Sequence, residues 1–162
     1  YSKLDIFLER FKTLFNFVKV LDTLIFTIDT NKGWMVDENQ KNRIKRIIEE
    51  NHDANNIVII SHQLIWMDKF KDEVFPNGIS DKVLSNNFDK FENFLKSYEK
   101  KLFFISGDVG ATYNSSNYFC RTNQKITYIA TGMGLGINDN YVVINVFNNV
   151  VNINIKTVDV QN

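Results

Sequence analysis

Two periods of apolar residues divide this chain into strands and helices. Ile57-Val58-Ile59-Ile60 is a continuous β-branched run, closed by Ser61-His62. A run this short between polar residues predicts a strand buried on both faces, as in a parallel sheet. Leu102-Phe103-Phe104-Ile105-Ser106 is a second such run, and it leads into Gly107-Asp108-Val109-Gly110. Helical spacing appears at Leu4, Phe7, Leu8, Phe11, Leu14 and Phe15, with Asp5, Glu9, Arg10 and Lys12 on the other side. It appears again at Ile44, Ile47 and Ile48, and at Phe88, Phe91, Phe94, Leu95 and Tyr98. These three stripes predict amphipathic helices.

Turn and cap residues supply the boundaries. Residues 17–20 and 23–29 read as strands around a tight turn at Leu21-Asp22, and Asn31-Lys32-Gly33 is turn chemistry. Asp37 opens the second helix, with Gln40 three residues on completing a capping-box pattern; that helix ends near Asn51. The third helix ends near Lys100-Lys101, where basic residues suit the negative end of the helix dipole. Strand, helix, strand thus occurs twice, each time with a crossover long enough for a parallel βαβ unit. Beyond residue 113 the pattern changes to short strands at 118–121 and 125–131. Residues 141–147 and 150–155 then alternate with period two around Asn148-Asn149, which predicts a β-hairpin.

Residues 66–83 fit neither period, with Trp66, Asp68, Phe70, Asp72, Phe75, Pro76 and Gly78 scattered among polar positions. A loop that long inside a compact domain is usually functional. It follows His62 directly, so it reads either as a wall beside that residue or as a surface excursion pinned by Trp66 and Phe75.

Composition narrows the function. Lys plus Arg equals Asp plus Glu, 19 each, so no net charge draws nucleic acid or an anionic membrane. No apolar run approaches the ~20 residues of a membrane span. The single cysteine, Cys120, excludes an internal disulfide and a Cys-based zinc cluster within the chain. The compartment stays open. Asn is abundant, so the Asn114-Ser115-Ser116 glycosylation pattern carries no weight. The start at Tyr1 rather than Met reads as the loss of something upstream.

The chemistry concentrates on His62 and Asp108. Each stands just past the C-terminal end of a buried strand, the edge where open α/β sheets bind ligands. The plainer alternative makes His62 a hydrogen-bonding residue and Asp108 a turn former. Gly132, Gly134 and Gly136 lack dinucleotide-binding spacing and predict close backbone approach instead. His52 reads as a surface residue at a helix end.

In this order the residues resemble the C-terminal half of a calcineurin-like metallophosphoesterase. Residues 24–30, LIFTIDT, resemble the family's strand ending in apolar-Leu-Asp-Thr, and residues 36–40, VDENQ, its following "eQ" helix segment. Residues 57–66, IVIISHQLIW, resemble its "sHhPlw" strand, where the His is a metal ligand. Residues 104–110, FISGDVG, fall where the family has Gly-His-x-His, and residues 128–134, YIATGMG, resemble the strand after it. The resemblance implies an α/β fold: 1–162 as the C-terminal half of one four-layer αββα sandwich, βαβ units followed by β-hairpins. It implies two divalent metal ions (Mn, Fe, Zn or Mg), a phosphate mono- or diester substrate, and a missing N-terminal half as partner. His62 maps onto a metal ligand.

The departures are specific. The family's three upstream motifs, Asp-x-His, Gly-Asp-x-x-Asp and Gly-Asn-His-Asp/Glu, are absent from the chain. Asp108 stands in place of the fifth motif's first His and Gly110 in place of its second. Asp108 offers an oxygen ligand for a hard cation, whereas Gly110 offers none. The Pro expected after the His is replaced by Leu64 and Ile65. Two function classes follow: a metal-dependent phosphoesterase when joined to its upstream half, or a catalytically degenerate module that binds within a larger assembly. A complete small α/β domain is a third reading, disfavoured because half a sandwich exposes sheet edges and one apolar face.

Overall fold

A computed structural model describes residues 14–30, 34–77, 86–134 and 139–158. The helix expected over 4–15 therefore lies almost wholly outside the described residues, as do the turn at 31–33 and Gly136. Elsewhere the chain runs β1 (Asn16–Val20), β2 (Thr23–Thr27), α1 (Glu38–Glu50), β3 (Asn56–Ser61), a 3-10 turn (Met67–Phe70) and α2 (Phe88–Lys96). It continues with β4 (Lys101–Ser106), β5 (Phe119–Asn123), β6 (Ile126–Ala130), β7 (Asn140–Phe147) and β8 (Val150–Thr157). The result is mixed α/β, with a six-stranded sheet in the order β1-β2-β3-β4-β6-β5 and a separate two-stranded sheet, β7-β8.

The four central strands run parallel and the outer ones antiparallel. Ile57 and Ile59 of β3 enter one core with Leu24, Phe26, Leu102 and Phe104, under α1 and α2. Val58, Ile105 and Ile129 point to the opposite face, where Val142, Ile144, Ile153 and Ile155 of the hairpin pack on them. This double-sided burial is why β3 reads as an unbroken apolar run rather than an alternating one. The hairpin turns at Asn148 and Asn149, both at positive φ (47° and 62°), as a tight two-residue turn demands.

Asp37 caps α1, its carboxylate accepting from Gln40 N at 2.8 Å. The other half of the expected capping box is not formed. The Gln40 amide turns instead to Asp29, accepting from its N at 2.8 Å and donating to its O at 2.8 Å. It thereby ties the start of α1 to the stretch after β2. The third helix ends at Lys96, earlier than its apolar spacing suggests, and Glu99 adopts a positive φ of 56° in the connection to β4.

The 66–77 stretch divides. Trp66 is fully buried and stacks near Phe119, Phe70 and Tyr128 at 5.5–5.9 Å, so it is core. Phe75 is exposed. Beside this aromatic cluster lies a buried charge. Glu92 of α2 meets Lys96 at 2.5 Å and Lys69 at 3.3 Å, accepts a hydrogen bond from the Tyr128 hydroxyl, and is 1% exposed. Lys69 also reaches Asp89 at 2.8 Å. A buried carboxylate needs this complement, since unpaired it would cost several kcal/mol. The network clamps α2 to the 3-10 turn and to β6.

Burial, and then the Glu92 carboxylate, hold the Tyr128 phenol far above its ordinary value. For Lys69 desolvation acts downward, but its hydrogen bond to Asp89 and the charges of Glu92 and Asp89 outweigh it, so its pKa is raised. Both groups bind their protons more tightly folded than unfolded. Their contribution is fully present below the unfolded values near 10 and is lost as pH rises above them. Urea midpoints are expected to hold level to about pH 9 and fall above about pH 10. Tyr128→Phe should cost about 1–3 kcal/mol at pH 7 and reduce that alkaline fall. An unchanged alkaline slope would show that Tyr128 does not carry it.

Candidate functional site

Parallel pairing of β3 with β4 sets the site. Ser61 is directly opposite Ser106, their hydroxyls 3.1 Å apart, and Gly107 N donates to His62 O at 3.0 Å. The residues that leave the two strands are thus brought together at one sheet edge. His62 Nε2 lies 3.9 Å from Asp108 Oδ1. The two side chains differ sharply in exposure: His62 is 67% exposed and Asp108 14%. Among the described residues no hydrogen bond reaches the Asp108 carboxylate.

His62 is flanked by anchored neighbours. Ser61 donates to Gln63 O at 2.9 Å, and the Thr30 hydroxyl donates to the Gln63 side chain. The backbone at His62 is thus fixed from β2, β3 and β4, while its imidazole faces outward. Asp108 is held from its main chain: Asn77 N donates to Asp108 O at 2.9 Å, and Ala111 N donates to Asn77 Oδ1 at 2.6 Å. Phe75 and Ser116 exchange two hydrogen bonds, Ser116 N to Phe75 O at 2.8 Å and Phe75 N to Ser116 Oγ at 3.0 Å. The stretch after the 3-10 turn therefore backs the loop after β4, the wall that its position in the sequence suggests.

Glycine is required at three points of this loop pair. Gly110 sits at φ +83°, and a Cβ at Gly132 would lie 1.9 Å from Val109 O and 2.9 Å from Gly107 O. Gly134 is similarly close to Ala111. The close backbone approach expected of the glycine run is present at Gly132 and Gly134. Asn140, buried, accepts from the Thr131 hydroxyl and from Gly132 N at 3.3 Å, and donates to Asn117 O at 2.8 Å. It joins the hairpin to the site loops. Asn77 and Asn140 were invisible in an Asn-rich sequence; no neighbouring motif sets them apart from the other asparagines.

Two donors 3.9 Å apart can share one ion, because ligands at about 2.1 Å from a metal can stand up to about 4.2 Å from one another. No group of three or more His, Cys, Asp or Glu side chains placed to hold a metal occurs among the described residues. His62 and Asp108 by themselves would not complete a metal's ligand set. A shallow cavity of about 250 Å³ lies between the end of β2 and the start of α1, lined by Asp29, Met35, Val36, Asp37, Glu38 and Asn87; it includes neither site residue. His52 is exposed after α1, and Cys120 is an exposed thiol on β5 whose pKa burial raises. Neither joins the site.

Compared with protein-family models, curated proteins and solved structures, the chain matches none.

Gly132→Ala drives a methyl into a backbone carbonyl that cannot step aside freely. It should destabilise the protein by about 1–3 kcal/mol in urea unfolding. Gly107→Ala, where an added Cβ would meet only ordinary contacts at 3.9 Å, is the control in the same loop pair. Equal, negligible effects at both positions would refute the close approach at Gly132.

Proposed function

We propose that this chain carries part of the site of a metal-dependent phosphoesterase, one that hydrolyses a phosphate mono- or diester. The observation that carries the reading is the meeting of His62 and Asp108 at the C-terminal edge of β3 and β4. An outward imidazole faces a half-buried carboxylate that accepts no hydrogen bond among the described residues, and a cation between them would engage both. His62 would donate a neutral ring nitrogen and Asp108 an oxygen. Bound divalent ions would supply an activated water and charge neutralisation at phosphorus. The chain's own part is to hold the two donors at one edge, with His62 fixed by Ser61 and Gln63, and Asp108 by Asn77.

The order of layers supports the finer fold reading, half of an αββα sandwich. Helices cover one face of the six-stranded sheet and a second, two-stranded sheet covers the other. The outer face of β7 carries three apolar residues, Tyr141 and Phe147 exposed and Val143 half-buried, beside the exposed Asn145. A strand apolar on both faces belongs inside a layered structure. In this reading an upstream half supplies the fourth layer and the remaining ligands.

A second reading, a degenerate module that binds without catalysis, is favoured by Gly110, which offers no side chain where the resembled family has a second His. The two part company on one experiment. In the full-length protein, His62→Ala is expected to lower bound metal and to cut phosphatase activity at least about tenfold, together. Unchanged metal content removes His62 from the site; metal without phosphatase activity in the wild type selects the binding module.

A further inference from the structure

Lys41, Arg43, Lys45 and Arg46 place four of the chain's 19 basic residues within six positions of α1. Three of them meet a carboxylate on the same helix: Lys41 with Glu38 at 3.4 Å, Lys45 with Glu49 at 3.9 Å and Arg46 with Glu50 at 3.8 Å. Arg43 does not. Its guanidinium lies over the ring of Phe15, 4.1 Å from the centroid, and forms no hydrogen bond or ion pair among the described residues. Phe15 is buried and packs near Phe26 at 6.2 Å, so the ring is a fixed platform. The ring steadies the cation without neutralising it, and a guanidinium keeps its N–H donors for a partner. Beside Arg43 opens a cleft of about 380 Å³, lined among the described residues by Asn39, Asn42, Arg43 and Arg46. These positions follow the i, i+3, i+4, i+7 spacing of one helix face, and all four are exposed. The Asn39 and Asn42 amides also meet no partner among the described residues. The Glu50 that pairs with Arg46 stands one turn further on, outside the residues that line the cleft, and both groups of that pair are exposed. An exposed pair of this kind is held weakly, so Arg46 can turn to a better partner at little cost.

We propose that this cleft binds an oxyanion, the phosphate or carboxylate group of a small ligand. Arg43 and Arg46 supply the charge and the donor forks, and Asn39 and Asn42 donate from the same face. A guanidinium fork matches two oxygens of a phosphate or of a carboxylate, whereas a cationic ligand would meet only like charge. The chain as a whole has zero formal net charge and exerts no general pull on anions, so the attraction is local to this face of α1. The site stands apart from His62 and Asp108, neither of which lines the cleft, and does not depend on their role.

An NMR titration of the arginine Nε–Hε signals in the full-length protein tests this, at constant ionic strength in sodium chloride. One arm adds sodium phosphate and the other sodium acetate. The Arg43 and Arg46 signals should move along a saturable curve in at least one arm, with a Kd of about 10 mM or below. Arg121, already paired with Glu73, should stay in place. Saturation with phosphate alone assigns the ligand a phosphate group, saturation with acetate alone a carboxylate, and saturation with both leaves either group able to occupy the cleft. Arg43→Lys keeps the charge but loses the fork, and should weaken binding about tenfold. Arg46→Gln, at an exposed position where folding is not at stake, should also weaken it about tenfold. Linear drift of all arginines alike, or no movement with either anion, overturns the proposal. Unchanged affinity in either variant overturns it too; for Arg43 it would leave a cover for Phe15 and no site.

Discussion

The parallel ladder between β3 and β4, in the register that sets Ser61 against Ser106, is the constraint on which the rest depends. It fixes the face that each apolar side chain enters. A slip by one residue would send Ile57 and Ile59 to the hairpin side and Val58 to the helices. It also fixes which residues leave the sheet side by side. The meeting of His62 and Asp108 is a consequence of that register, and neither residue needs to attract the other to get there.

Around this ladder the polar chemistry is structural at one end and open at the other. At the helix-side core Glu92 is surrounded by Lys69, Lys96 and Tyr128, so its charge is spent on holding α2 in place. At the sheet edge Asp108 is half-buried and, among the described residues, has only an imidazole at 3.9 Å. The contrast between a buried carboxylate saturated by partners and a half-buried one with a single imidazole nearby separates a clamp from a candidate ligand more clearly than residue type does.

Much of this was legible in the sequence, and for identifiable reasons. The β-branched run at 57–60, the capping Asp37 and the Asn148-Asn149 turn each follow from local rules, and the structure has all three. The 3.6-residue spacing found α1 and α2 but overran the end of α2, because Tyr98 packs against Phe94 from beyond the last helical turn. Trp66 read as loop and proved to be core, since much of its burial comes from Phe119 of β5 and Tyr128 of β6, far along the chain, besides Phe70 of the 3-10 turn that follows it. The site was legible only as two strand ends. Asn77, Asn140 and the second role of Gln40 were not, because each acts across 11 to 34 residues through hydrogen bonds that leave no periodic trace.

The same ladder sets the tempo at which the fold can be reached. Ser61 and Ser106 are 45 residues apart in sequence, and Asn56 and Thr23 are 33 apart. Each parallel pairing must close such a loop before any contact rewards it, whereas β1–β2, β5–β6 and β7–β8 are hairpins that form locally. The molecule therefore assembles from three fast pieces around a slow centre. The β7–β8 hairpin, rich in valine, isoleucine and asparagine, can close before the surface that its apolar inner face packs against, and during that interval that face is open to pairing with the wrong neighbour.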